Sequence, residues 1–180
     1  MLCRLEKFFD RFSDLMGWIA GVLNLLMLVN VFYDAITRYL FKTGSIALQE
    51  MEWHLFAMVF LFGMGYCLKE DGHVRVDLLY DHFPPRWKAV VNIGGTLLLL
   101  LPLSLLIIEG SLWYVKEAYT IGEISGDPGG LGQRWLIKAV IPASFVFLIV
   151  SATGFMVRNL CIFRNREVPR PSHLVEDDVL

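Results

Sequence analysis

A chain of 180 residues in which 56% are hydrophobic and only 19% charged is too apolar for an ordinary soluble domain, which carries roughly 45–50% apolar and about 25% charged residues. Sixteen Lys and Arg against eighteen Asp and Glu leave a net charge of -2, which excludes a basic nucleic-acid binder. The charges crowd the two ends and a few short stretches, so the uncharged runs between them are long enough to cross a bilayer. The chain is a small integral membrane protein.

The first 14 residues have a helical period of their own. Leu5, Phe8, Phe9, Phe12 and Met16 fall on one side, with Arg4, Lys7, Asp10, Arg11 and Asp14 mostly on the other. This pattern predicts an amphipathic helix over 1–14 lying in the headgroup region; the alternative is a plain extension of the first span, differing only in a bend near Gly17. Four apolar stretches follow, predicting transmembrane helices over about 15–37, 51–68, 89–114 and 137–160 within a domain of 15–164. The tail over 165–180, with two prolines and an acidic end, is expected to be disordered and cytoplasmic. Eleven Lys and Arg flank the spans on the side of the termini, against five on the other side. With an even number of spans, that bias puts both termini in the cytoplasm. The predicted fold is an all-α, multi-pass membrane protein: four transmembrane helices behind an N-terminal interfacial helix.

Between the spans, several polar groups invite a closer look. Asn30, Asp34 and Arg38 recur every four residues at the outer end of the first span and share a face. An Asp34–Arg38 pair there either caps the span at the membrane boundary or meets a neighbouring subunit. Glu50-Met51-Glu52 opens the second span, where acidic groups favour the exposed N–H groups of a helix N-terminus; Trp53 and His54 follow directly. Glu109 lies far enough along the third span to reach the outer interface beside Trp113 and Tyr114. The outer loop from Gly122 to Gly132 is dense in glycine, with Pro128, and reads as an ordered turn or a mobile loop, not a helix.

Other patterns carry no chemistry. His73, Asp77 and His82 have no established metal-ligand spacing. Gly129-Gly130-Leu131-Gly132 lacks the Lys-Ser/Thr of a phosphate loop. Cys3, Cys67 and Cys161 are far apart and form no Cys-x-x-Cys motif. No cofactor, metal or catalytic group is expected, and the chain does not read as an enzyme. A self-sufficient transporter would place ionisable groups or broken helices at the midplane, yet the middles of these spans hold none, and Pro102 and Pro142 have no charge beside them. A four-helix membrane oxidoreductase, the other competitor, would need paired outer cysteines or haem-ligating histidines inside the spans. The chain has the character of a scaffold that packs beside something else, with Gly17, Ala20, Gly21, Gly94 and Gly95 as close-packing positions.

Several motifs occur in a telling order: Arg38-Tyr39 ending the first span, Glu50-Met51-Glu52-Trp53 opening the second, Gly63-Met64-Gly65-Tyr66 late in it, and Gly72-His73-Val74-Arg75-Val76-Asp77 after it. Over about Arg4 to Arg164 the chain resembles the small membrane subunit of tripartite ATP-independent periplasmic (TRAP) transporters. The resemblance implies a large membrane subunit that binds solute and sodium and moves the solute by an elevator mechanism. It also implies a periplasmic solute-binding protein that delivers an organic acid, and a small subunit that acts as a fixed wall among the membrane lipids. Candidate contacts to the large subunit are then Asn30, Asp34, Arg38, Glu52 and Trp53. His73, Arg75 and Asp77 form a cytoplasmic motif, and Glu123, Asp127 and Arg134 are candidates for docking the binding protein.

Overall fold

The computed structural model describes residues 2–70, 72, 80 and 83–164. His73, Arg75, Asp77 and the tail over 165–180 lie outside the described residues. Among the described residues there are helices and no strand. Helix α1 runs over Leu2–Leu40, α2 over Ile46–Lys69, α3 over Pro85–Gly95, α4 over Leu101–Thr120 and α5 over Trp135–Phe163. A π-helical turn, Thr96–Leu100, joins α3 to α4, so Pro85–Thr120 acts as one long helix. Four helices are thus long and apolar enough to cross a membrane.

The helices outrun the apolar stretches because helical hydrogen bonding continues through the polar flanks. Helix α2 starts at Ile46, five residues ahead of its predicted span, and Pro85 opens α3 at the position where a missing N–H costs nothing. In the π turn the N–H of Leu101 bonds Thr96 O, five residues back. The turn lies directly ahead of Pro102, whose ring crowds the preceding helical turn and which has no N–H to donate.

The amphipathic stretch is not a separate helix. Helix α1 passes through Gly17 without a break for 39 residues, about 58 Å at the helical rise. Of the stripe that reads as a membrane-surface face, Phe9 and Phe12 pack on α5, while Phe8 stays exposed. Ser13 Oγ lies 3.0 Å from Ser151 Oγ, and the Phe12 ring sits edge-on to Phe147 with centroids 5.6 Å apart. At Gly154 a Cβ would come within 2.5 Å of Phe9 Cβ, so only glycine lets α1 this close. The same device recurs where a Cβ on Gly17 would meet the Tyr66 ring and one on Gly65 would meet Ser151. Such small-residue contacts are how helices approach in lipid, where hydrophobic exclusion cannot drive them together. Gly21, Gly94 and Gly95 have nothing within 4 Å of that position and do not serve this purpose within the chain.

Helix α5 is the axis of the bundle. It packs on α1, α2, α3 and α4, whereas α1 and α2 pack on each other and on α5. Of its most apolar stretch 39% is buried, against 11% for α1 and for the third span. The core is small, Leu68, Leu148, Ala152 and Phe155 with Met64, Leu100 and Phe145 around them. Leu25, Leu26, Leu28, Val29 and Phe32 on α1 and Leu98, Leu99, Leu103 and Leu106 along the third span face outward. An apolar exterior of that extent suits lipid or a partner, not water. The hydroxyls of Ser104, Ser111 and Thr153 bond carbonyls of their own helix, at 2.7, 2.6 and 2.6 Å, which satisfies them without water.

Polar contacts tie each end. At the terminal end, where α1 begins and α5 finishes, Lys69 pairs with Asp14 and Glu70, and Arg158 donates to Lys69 O at 3.2 Å. Asn92 donates to Asn159 Oδ1 at 2.8 Å. Cys67 and Cys161, near this end, form no disulfide among the described residues. The opposite end, called here the loop end, carries the 121–134 connection.

Candidate functional site

The most organised polar feature of the molecule lies at the loop end, and it centres on Glu50. The residue is in the second turn of α2 and 5% exposed. Because the helix starts at Ile46, no acid occupies its first turn, so Glu50 is not the helix-end acid that the sequence pattern predicts. Its carboxylate reaches across to the 121–134 loop. Oε1 accepts the Ser125 hydroxyl at 2.5 Å, Oε2 accepts the Leu131 N–H at 2.5 Å, and Arg134 Nη2 lies 3.5 Å from Oε1.

The loop is closed on itself around this anchor. Ser125 N–H donates to Leu131 O at 3.0 Å, Arg134 N–H to Glu123 O at 3.1 Å, and Gly130 N–H to Asp127 O at 3.0 Å. Gly129 has φ +84°, a conformation that L side chains avoid. A Cβ on Gly130 would come within 2.5 Å of Ser125 Cβ and 2.8 Å of Glu50 Oε2. Of the two readings the glycines allow, the structure has the ordered turn: they serve close approach and a tight turn.

Three more residues complete the cluster. Lys138, in the first turn of α5, pairs with Glu123 and lies 3.7 Å from the centroid of the Tyr114 ring. The Arg134 guanidinium stands 5.7 Å from the Trp53 ring centroid, within the range of a cation–π contact. His54, one turn below Glu50, is buried and its Nε2 has no hydrogen-bond partner among the described residues.

Against this geometry the candidate residues separate. Glu123 pairs with Lys138 and one nitrogen of Arg134 faces Glu50, whereas Asp127 stands exposed at the loop tip. Asn30 turns inward and donates to Leu48 O at 2.9 Å, tying α1 to α2. Asp34 is buried and pairs with Arg38, and its Oδ1 is unpartnered among the described residues. Arg38 is half exposed, Trp53 is 45% exposed and Glu52 is partly exposed, so these three keep surface. Glu109 is exposed on α4. Residues absent from the candidate set, Glu50, Ser125, Leu131 and Lys138, form the heart of the cluster; the one signal in the sequence was Glu50 itself.

Four apolar helices long enough to cross a membrane, apolar outside and with their organised chemistry at one rim, define a multi-pass membrane subunit. Residues 27–162 match the model of the family described as tripartite ATP-independent periplasmic transporters, DctQ component, and the chain belongs to that family. Its members are transporter components, not enzymes, and the family implies a large membrane subunit as partner. The chain is 29% identical over 136 residues to a TRAP transporter small permease protein of Haemophilus influenzae, covering 74% of this chain and 84% of the relative. It is 29% identical over 126 residues to the C4-dicarboxylate TRAP transporter small permease protein DctQ of Pseudomonas aeruginosa, covering 66% and 58%. It is also similar to the sialic acid TRAP transporter permease protein SiaT of Haemophilus influenzae, at 23% over 142 residues, 78% of this chain but 22% of that longer protein.

Proposed function

We propose that this chain is the small membrane subunit of a sodium-driven, binding-protein-dependent importer of an organic acid. It scaffolds the large transport subunit and presents the anchored loop to the solute-binding protein. The loop end faces the periplasm and both termini the cytoplasm, as the Lys and Arg distribution favours. Relatives named for sialic acid and for C4-dicarboxylates, both carboxylates, support an organic acid as solute.

The observation that carries this reading is where the chain spends its polar groups. The hydroxyls within the spans are satisfied locally, while the outward faces of α1 and of the third span are apolar along most of their length. Such a body has surface for a neighbour and little interior for a solute. The long SiaT relative supports the same arrangement, since this chain corresponds to about a fifth of a permease that continues far beyond it. In proteoliposomes the purified chain should give no sodium-driven uptake, and uptake should appear once the large subunit and the binding protein are added. Uptake by this chain alone would sink the proposal.

A further inference from the structure

We propose that the flank of the Glu50 cluster is a specific phospholipid site, with the lipid phosphate at Arg134 and its acyl chain running down α2. A cavity of about 550 Å³ opens between α2, α4 and α5 at the loop end, a size typical of ligand clefts. Its lining is sorted by height. Arg134, Lys138 and Glu123 lie at the rim with Trp53 and Tyr114, while Phe60 and Leu61 form the floor one to two turns deeper on α2. A membrane lipid has that polarity along the bilayer normal, and aromatic rings beside cations mark the headgroup level.

The rim can hold a phosphate. Only Nη2 of the Arg134 guanidinium reaches a carboxylate, at 3.5 Å from Glu50, and no other hydrogen bond to this group occurs among the described residues. Most of its five donors remain for an anion, in the planar fork that suits phosphate oxygens. Lys138, 9% exposed, adds a second charge held in place by Glu123 and Tyr114. Glu123 and Glu50 already balance these two cations, so a phosphate is held by the geometry of the guanidinium fork and not by a net positive field. Trp53, Phe60 and Tyr114 are 45%, 63% and 45% exposed, which leaves the cavity open sideways to the bilayer. A soluble metabolite would have no use for that opening.

The test uses the full-length chain, stripped of lipid in mild detergent and followed by native mass spectrometry. Three probes are compared: phosphatidylglycerol, a diacylglycerol with the same acyl chains, and inorganic phosphate. One phosphatidylglycerol should bind at least about tenfold more tightly than either of the others. Ala57→Trp fills the floor without touching the charges, and Arg134→Gln removes the guanidinium; each should weaken phosphatidylglycerol about tenfold. In the unaltered chain, a phosphatidylglycerol with a photoactivatable acyl chain should crosslink to peptides covering 53–61 and 134–141, which does not depend on either variant folding. Crosslinks spread evenly over all four helices would overturn the proposal, as would equal binding of the diacylglycerol or full competition by inorganic phosphate. Unchanged lipid binding in both variants, with loss of copurifying large subunit, would assign the cavity to the partner protein and overturn it equally.

Discussion

The carboxylate of Glu50 accepts the backbone N–H of Leu131, 81 positions further along the chain. One side chain thus fixes the distance between the head of α2 and the loop that precedes α5. Two consequences follow for experiment. Glu50→Gln keeps the shape but removes the charge and one of the two acceptor oxygens, and hydrogen bonds to a charged acceptor are the stronger kind. Amide exchange at Leu131 and Ser125 should become about tenfold faster, while amides in the middle of α5 keep their protection. Unchanged exchange at Leu131 would show that the loop holds itself without the anchor.

Packing of α1 on α5 rests on the absence of one side chain. Gly154→Ala places a methyl against Phe9 Cβ, an atom too near the backbone to swing aside. Overpacking of this kind costs about 1–3 kcal/mol, measurable by unfolding in mixed detergent micelles. Gly21→Ala, with open space around it, should be close to neutral. Equal stability of the two variants would mean that α1 and α5 separate more easily than the structure implies.

Orientation can be read with a membrane-impermeant maleimide on intact cells. A cysteine at Gly126, exposed at the loop tip, should label, and one at Ser172 in the tail should not. Gly130 is unsuitable as the probe position, since it packs against Ser125 and Glu50. Labelling at Ser172 in unbroken cells would reverse the assignment of periplasmic and cytoplasmic ends.

Charge reversal separates a docking role from a structural one. Asp127 is exposed, whereas Glu123 holds Lys138. Asp127→Lys should therefore slow binding-protein-dependent uptake and alter its salt dependence with the two membrane subunits still assembled, because rim charges act mainly on association. Glu123→Lys should lower thermal stability even without the binding protein. If Asp127→Lys transports with normal kinetics at every ionic strength, the loop tip takes no part in docking.

The four membrane-crossing helices were legible because apolar runs and bilayer thickness answer to the same physics. The boundaries were less so: Ile46, Ala47 and Leu48 are apolar, but Gln49, Glu50 and Glu52 interrupt the run and hide that α2 already begins at Ile46. The stripe through Phe9, Phe12 and Met16 was visible but ambiguous, since one pattern suits a headgroup layer or a neighbouring helix. What decided it were Ser151 and Gly154, more than a hundred residues away. The Glu50 cluster was hidden for the same reason. An acid near the start of a helix looks alike whether it caps that helix or reaches a distant loop, and Glu123 and Arg134 look free until Lys138 and Glu50 stand opposite them.

The central place of α5 bears on how the molecule is made. Chains enter the membrane from their N-terminus, so α5, the helix that all the others touch, arrives last. Helices α1 and α2 can join as soon as both are inserted, tied by Asn30 and by Gly17 against Tyr66. Among the described residues the long helix of α3 and α4 packs mainly on α5, and until synthesis reaches Phe163 it lacks most of its support in the membrane. A ribosome halted before Trp135 should therefore release an intact hairpin of two helices and a third that assembly chaperones or proteases of the membrane can still seize. Quality control of this subunit has a natural checkpoint at its final helix.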